Sequence, residues 1–286
     1  MNLNFPKKKK GNPMKLDYGT LISISPLELK NGLSIRSPKL KEIAALTFPA
    51  YQSYLGVLLL DIESYYSSMD KNMTDYFSNY SHQEKQTILQ IREEYEGLSE
   101  EEKDGIMPID IFSFDGKLLN DIADSLSFFL ECQLQYSHEH KGFIQTTGKE
   151  TFCSISRDIY TLVVTLILQR NGIFPSQTEL EKPKFKSELA RKLFYRTKEA
   201  ESKREKGKNT NASMDLPNIL SAVAARHPSL NMLNIWDITI YQLYDQFKRL
   251  QNNTLYDIQS MSVAAWGDGK NNFDPAQWYK NLNNEN

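Results

Sequence analysis

The last third of the chain contains several helix start and stop signals, which predict that this region is helical. Asp215 is a residue type that caps helices. Pro228 ends the helix that follows, because the residue before a proline disfavours helical backbone. A capping box begins at Thr239, with Gln242 three residues later. These signals predict a C-terminal helical module over residues 214–280.

Further helices are predicted upstream from caps and from the spacing of apolar residues. Ser37 followed by Pro38 indicates a helix start, and Asp115 is predicted to cap an amphipathic helix. Residues 155–170 are apolar on nearly every side, which is typical of a central, buried helix. Residues 107–114 are expected to form a short strand or a loop.

Two hairpin signals accompany these helices. Asn31-Gly32 lies between alternating flanks and predicts that Leu33–Ile35 pairs with Leu21–Ile24 or with Leu27–Leu29. A second hairpin is predicted over residues 133–145. The expected fold class is therefore mainly α with small β-hairpins (α+β), a multi-helix domain followed by the C-terminal helical module.

Polar segments divide the chain. Residues 1–15 are polar and basic and are expected to form a disordered tail. Residues 198–213 have almost no large apolar side chain and are the candidate flexible, charged linker. An α-rich domain with two hairpins is then expected over 16–197, and the helical module over 214–280.

Sequence patterns for catalysis or metal binding are weak. Gly142 to Lys149 resembles a phosphate-binding loop but has the wrong glycine spacing, and its setting favours a hairpin turn. His138 and His140 could share one face of a strand, but nothing nearby completes a metal site, so solvent-facing histidines are the preferred interpretation. We expect no enzyme activity, no cofactor and no metal.

The compartment follows from apolar runs and cysteines. The longest apolar runs are far too short to span a bilayer, and no apolar run follows the basic N-terminus. Cys132 and Cys153 are expected to be unpaired thiols in a reducing compartment. These features predict a protein of the cytoplasm without a membrane partner.

Charge is unevenly distributed, although the net charge is only −2. Lys182–Lys208 is basic and could contact nucleic-acid phosphates, but interleaved glutamates dilute its field. A solvated helix with a disordered tail is the preferred interpretation, and a nucleic-acid-associated regulator stays a second alternative. The acidic stretch from Asp61 to Glu131 has the opposite sign, so the basic segment could dock on that stretch or on an acidic partner.

Large aromatic side chains concentrate in the C-terminal module. Core or edge packing is the default interpretation of Trp236, Trp266 and Trp278, but their concentration in a short stretch also favours a role as interface anchors. The candidate partner-binding residues are Trp236, Ile240, Leu243, Tyr244, Phe247, Leu250, Trp266 and Trp278.

Two blocks of sequence resemble proteins of tailed phages and prophages of Gram-positive bacteria. The blocks are Leu33-Ser-Ile-Arg-Ser-Pro-Lys-Leu-Lys-Glu-Ile and the C-terminal run with Leu216-Pro-Asn-Ile, Arg226-His-Pro, Asn234-Ile-Trp-Asp-Ile-Thr-Ile-Tyr-Gln-Leu-Tyr-Asp-Gln-Phe-Lys-Arg-Leu, Trp266-Gly, Phe273-Asp and Trp278-Tyr-Lys. The layout, a helical protein with a linker to a C-terminal piece, is similar to that of tail assembly chaperones.

The resemblance implies a non-enzymatic role in phage tail morphogenesis. Tail assembly chaperones bind the tape-measure protein and keep it soluble until the tail tube polymerises around it. The expected partner is therefore a phage tail protein, and the tape-measure protein is the leading candidate. A structural component of the tail or baseplate is the alternative, and self-association is left open.

Overall fold

The computed structural model describes residues 15–29, 32–71, 73–147, 150–174, 215–269 and 272–282, with backbone alone at 146–147 and 150–154. Over these residues the chain is mainly helical with two small antiparallel sheets, as predicted. The predicted linker 198–213 and the predicted tail, apart from Lys15, lie outside the described residues.

The helices, in chain order, are α1 (Tyr18–Ile22), α2 (Leu40–Leu46), α3 (Phe48–Leu58), α4 (Ile62–Lys71), α5 (Met73–Tyr76), α6 (His82–Glu96), α7 (Glu100–Lys103), α8 (Pro108–Phe112), α9 (Gly116–Leu130), α10 (Arg157–Arg170), α11 (Leu216–Arg226) and α12 (Ile240–Trp266). Short 3-10 helices span Ile235–Asp237 and Gln277–Tyr279. The strands are β1 (Leu27–Glu28), β2 (Ser34–Ile35), β3 (Gln135–Ser137), β4 (Gly142–Thr147) and β5 (Glu150–Ser156).

The chain forms two compact units. Unit 1 consists of residues 1–37 and 49–175. Unit 2 consists of residues 38–48 and 176–286. Residues 38–48 thus belong with the C-terminal region, whereas the sequence division placed them in the first domain. Unit 2 is a discontinuous structure whose two pieces are far apart in sequence.

Helices α9 and α10 supply the centre of the unit 1 core. Ile122, Leu126 and Phe129 of α9 and Val163 and Leu166 of α10 are fully buried. The prediction of a central helix over 155–170 is confirmed, with its start moved to Arg157. Residues 155 and 156 end strand β5 instead, because Ile155 pairs with Phe143 across the sheet.

The end of α10 holds the start of the chain in place. The buried guanidinium of Arg170 donates hydrogen bonds to the carbonyl oxygens of Thr20 and Ser25, the latter at 2.7 Å. The Gln169 side chain accepts from the Leu16 amide at 2.8 Å. Burial lowers the pKa of Arg170, and the two carbonyl dipoles replace part of the hydration that its charge loses.

The sheets confirm both hairpin predictions and add one strand. Of the two pairings left open for the first hairpin, β1 with β2 is the one formed, in the register Leu27↔Ile35. Strands β3 and β4 form the second, and β5 extends it into a three-stranded antiparallel sheet. Residues 142–147 of the phosphate-loop-like segment form strand β4, and residues 148–149 lie outside the described residues.

Two local predictions are wrong. The helix expected from Ser37 starts only at Leu40, because the backbone at Lys39 pairs with Thr239 and cannot be helical. The expected strand or loop at 107–114 is helix α8, since Asp110 caps the Met107 amide at 2.8 Å. The Asp110 carboxylate also pairs with Arg157 at 2.5 Å, a tertiary contact that no local pattern predicts.

Unit 2 confirms the predicted caps. Asp215 accepts from the Asn218 amide at 2.9 Å to start α11, which ends at Arg226 just before His227 and Pro228. Thr239 and Gln242 form the capping box that starts α12. Among the described residues of this unit, the buried apolar side chains come from α11, α2, the first 3-10 helix and the first turns of α12, and they include Leu216, Ile219, Leu220, Val223, Leu40, Ile43, Ile235, Ile240 and Leu243.

Candidate partner-binding surface

Helix α12 is the longest element of the described chain and has two different halves. It has 27 residues, which corresponds to a length of about 40 Å. In its first turns Ile240, Tyr241 and Leu243 are buried in unit 2. Beyond Leu250 no residue of the helix is buried. The distal half therefore extends past the core of its own unit.

The C-terminal segment returns along one face of this distal half. The rings of Tyr256 and Phe273 stack at 5.6 Å. The side-chain amide of Asn252 donates to the Gln277 carbonyl oxygen at 2.8 Å, and the Arg249 guanidinium donates to the Lys280 carbonyl oxygen at 3.0 Å. The return therefore covers this face of the helix.

A different face of the same half carries exposed apolar side chains. Leu255, Ile258, Met261 and Trp266, which together form the distal stripe, are 55%, 57%, 64% and 87% exposed. At 100° per residue the four positions fall within about 140° of the helix circumference, roughly opposite the face that the return covers. A contiguous apolar face of this kind on a folded protein marks an interaction surface more often than chance exposure.

The distal stripe carries no charge. The positions that share its side of the helix are small, amide or hydroxyl residues: Gln251, Thr254, Gln259, Ser262 and Ala265. Asp257, the single charged residue from Gln251 to Trp266, lies just outside the stripe, about 40° from Met261 by the same geometry. The surface therefore suits an apolar partner, and it offers no cationic group for phosphate binding.

The structure distributes the eight predicted contact residues over three environments. Ile240 and Leu243 are fully buried in unit 2, and Trp266 and Trp278 are 87% and 53% exposed. The remaining four, Trp236, Tyr244, Phe247 and Leu250, are half-buried. Only Trp266 belongs to the distal stripe.

Two of the half-buried residues, Trp236 and Tyr244, are partly enclosed by unit 2. The indole nitrogen of Trp236 donates to the Met232 carbonyl oxygen at 2.8 Å, which closes the loop before α12. Burial raises the pKa of the Tyr244 phenol. Ile240 and Leu243 can reach a partner only if unit 2 opens, so within the closed unit these two are core residues.

Sequence reasoning missed Leu255, Ile258 and Met261. Their spacing of three residues, in a stretch with one charge, was a detectable signal of one helix face. No residue between Leu250 and Trp266 is among the predicted contact residues. The structure shows that α12 continues for four more turns.

Exposed apolar side chains occur at two further places in unit 2. Met232 and Leu233, 51% and 90% exposed, lie in the loop before the first 3-10 helix. Trp278 and Tyr279 lie on the second 3-10 helix, with their rings edge to face at 5.0 Å. These pairs are isolated in sequence, whereas the distal stripe forms a row.

A cluster of polar side chains in the described part of unit 1 surrounds Asp115. The hydroxyls of Tyr65 and Tyr76 donate to one carboxylate oxygen at 2.9 and 2.8 Å, and that of Tyr80 donates to the other at 2.9 Å. The Leu118 amide adds a fourth hydrogen bond at 3.1 Å. The carboxylate is fully buried and its acceptor sites are filled, so the cluster is suited to structure and not to chemistry on a substrate.

The histidine pair lies in the turn between β3 and β4. Both rings are exposed; His138 packs edge to face on Tyr136, and His140 shares a hydrogen bond with the Ser137 hydroxyl. Over the described part of the chain, no group of three or more potential metal ligands comes together. The preferred interpretation of these residues as solvent-facing fits their position.

The cysteines, the basic segment and the length of the apolar helices bear on three further predictions. Cys132 is a free, half-buried thiol whose pKa burial raises, and the side chain of Cys153 lies outside the described residues. The basic segment Lys182–Lys208 lies outside them as well. Among the helices that the structure describes, none is long and apolar enough to cross a membrane.

Comparison with known proteins finds one family for the C-terminal region. The model of a family described as YomV second domain matches residues 205–283, less than a third of the chain. The matched region contains α11, α12 and the distal stripe but not residues 38–48. No curated protein matches the chain, and no solved structure does. The match fits a phage protein, the class that the sequence resemblance indicated.

Proposed function

We propose that this protein is a non-enzymatic phage tail morphogenesis factor, a chaperone that binds the tape-measure protein along the distal stripe of α12. The observation that carries the proposal is the row formed by Leu255, Ile258, Met261 and Trp266, exposed and uncharged, on a helix that its own unit supports from the other side. The phage context rests on the family match over 205–283.

The chemistry of the stripe fits a helical partner with an apolar face. From Leu255 to Trp266 the helix rises about 17 Å, or three turns, which matches three turns of an opposing amphipathic helix. Burying the exposed indole of Trp266 alone removes roughly 200 Å² of surface from water, the size of a typical aromatic anchor. A tape-measure protein is a long helical chain with apolar stripes of this kind before the tail tube forms around it.

The absence of charge on the stripe has a consequence for selectivity. Opposite charges across an interface fix register and exclude wrong partners. The distal stripe has no charges that would fix one register, so it can bind at several equivalent apolar positions along a long repetitive helix. Tolerance of register is useful to a chaperone that must cover many stripes of one partner.

The proposal is tested by following the protein through tail assembly. Tagged full-length protein is captured from infected cells and from purified particles, and the bound chains are identified by mass spectrometry. We expect the tape-measure protein to co-purify from cells and the tagged protein to be missing from mature particles. Recovery in mature particles at a fixed copy number, without tape-measure protein in the cell fraction, would establish the structural alternative.

A solubility assay provides an independent test. The tape-measure protein is co-expressed with the native protein, with Ile258→Glu or with Asn253→Glu. Asn253 is exposed on the same helix, about 140° from Ile258, and both variants add the same charge. The native protein and the Asn253 variant should keep the tape-measure protein soluble, whereas the Ile258 variant should not. Equal rescue by all three would refute the assignment to the stripe.

A further inference from the structure

Unit 2 is assembled from two pieces of chain that meet at a small, specific joint. The extended backbone before α2 and the backbone before α12 exchange two hydrogen bonds: Leu40 N to Ile238 O at 3.0 Å and Ile240 N to Pro38 O at 3.2 Å. Lys39 and Thr239 form an antiparallel bridge between these bonds. The joint therefore has a strand-pairing direction and a fixed register.

Side chains reinforce this joint. Leu40 and Ile43 of α2 are fully buried. At the rim the Lys41 ammonium pairs with the Asp237 carboxylate at 2.8 Å, with both side chains more than half exposed. The surface of residues 235–243 thus recognises one short segment by register, by two apolar side chains and by one charge.

The connection between the two pieces is long. After Arg170 the chain reaches the start of α11 through residues 175–214, which lie outside the described residues. Forty residues can span up to roughly 130 Å when fully extended. Connection length therefore does not restrict the C-terminal piece to the 38–48 segment of its own chain.

We propose that residues 235–243 also accept residues 38–48 of a second copy of this chain, so that two chains exchange C-terminal pieces in a domain-swapped dimer. The occupant is a second copy because it carries the identical segment, with the same register and the same lysine. Each joint of the swapped dimer keeps every contact of the monomer, and exchange of identical elements is a low-cost route to dimers. Its population rises with protein concentration.

A charge-reversal experiment on full-length protein distinguishes exchange from a closed monomer. Lys41→Asp and Asp237→Lys each place like charges across the joint within one chain. In a swapped heterodimer of these two variants, one joint regains an opposite pair from the two native residues and the other regains it from the two substituted ones. Because the ion pair is exposed, neither variant is expected to unfold.

The two variants are mixed at about 100 µM, warmed to allow exchange and analysed by size-exclusion chromatography with mass detection. We expect a heterodimer fraction about tenfold above the dimer fraction of either variant alone, from two joints that change from repulsion to attraction. The double variant Lys41→Asp/Asp237→Lys restores the pair within one chain and should behave like the native protein. A mixture with no more dimer than the separate variants, with both chains folded by circular dichroism, would overturn the proposal.

Cross-linking of the native protein gives a second readout. Equal amounts of ordinary and ¹⁵N-labelled chains are mixed and treated with a carbodiimide, which joins an amine and a carboxylate in direct contact. Exchange predicts that linked Lys41 and Asp237 peptides include mixed-isotope pairs, and that their share grows with protein concentration. Linked pairs with a single isotope at every concentration would show that the joint forms only within one chain.

Discussion

At the scale of single residues, the buried carboxylate of Asp115 organises the acidic part of unit 1. Three phenol hydroxyls and one backbone amide donate to it, and the Lys117 ammonium lies 4.1 Å from the centre of the Tyr80 ring. A buried carboxylate is tolerated only when hydrogen bonds replace its lost hydration. These hydrogen bonds join α4, α5 and the turn after it to the start of α9.

Replacement of Asp115 by asparagine should destabilise unit 1. The amide group keeps the shape but turns one acceptor into a donor, so at least one buried hydroxyl loses its charged partner. We expect a loss of about 2–3 kcal/mol in the free energy of unfolding, measured by urea titration. Asp124→Asn, the same change at an exposed position of α9, should cost under about 0.5 kcal/mol. Equal effects would show that the hydroxyl hydrogen bonds contribute nothing.

The same cluster predicts alkaline sensitivity. Burial, and next the charge of Asp115, raise the pKa of Tyr65, Tyr76 and Tyr80 well above the usual value near 10. The neutral phenol is thus favoured in the folded state, so its contribution is complete below about pH 10 and is lost as the pH rises above that value. Above about pH 10, each such tyrosine should lower the free energy of unfolding by about 1.4 kcal/mol per pH unit.

Urea titrations between pH 8 and 11.5 check this alkaline sensitivity. The free energy of unfolding should be flat to about pH 9 and then fall, and the fall should be shallower in the Tyr76→Phe/Tyr80→Phe variant. Tyrosinate absorbance should show these phenols ionising only on unfolding. An unchanged slope in the double variant would contradict the assignment of the alkaline loss to the tyrosines around Asp115.

At the scale of elements, α2 shows how a short helix can belong to a distant part of the chain. Its caps and apolar spacing identify a helix from sequence, but nothing local shows that its partner is the segment from Ile235 to Thr239 before α12. The long-range bridge between Lys39 and Thr239 decides its start and its unit. A truncation at residue 212 would therefore also leave the buried face of α2 without its partner, which makes point variants the better test of partner binding.

Leu40→Ala should loosen unit 2 selectively. Leu40 is fully buried, and its truncation in a packed core costs about 2–5 kcal/mol. Hydrogen exchange should speed up in the amides of α11 and α12 and stay unchanged in those of α9 and α10. Lys41→Ala, an exposed neighbour, should have little effect on either set. Faster exchange confined to α9 and α10 would show that α2 packs in unit 1, which would contradict its assignment to unit 2.

At the scale of the whole molecule, the features that sequence predicts correctly are those that depend on interactions between residues close in the chain. Caps at Asp115, Asp215 and Thr239 depend on residues within three positions of one another, and each is present in the structure. The hairpin at Asn31-Gly32 is similarly local. The assignment of the domains along the whole chain stays a prediction, because residues 198–213 lie outside the described part.

Features with a distant cause could not be predicted. The three tyrosines around Asp115 are separated from it by 35 to 50 residues, and strand β5 exists because β4 pairs with it. The distal stripe was missed for a different reason, since its exposure depends on where the core of unit 2 ends. Composition alone does not reveal that limit.

The most direct test of the account is the affinity of purified full-length protein for the tape-measure protein, measured by titration calorimetry for Ile258→Glu and Asn253→Glu. The account predicts that Ile258→Glu weakens binding roughly tenfold or more, because a charge would be buried in an apolar contact, while Asn253→Glu binds like the native protein. Equal affinity of the two variants, both folded, would contradict the claim that the distal stripe is the partner-binding surface.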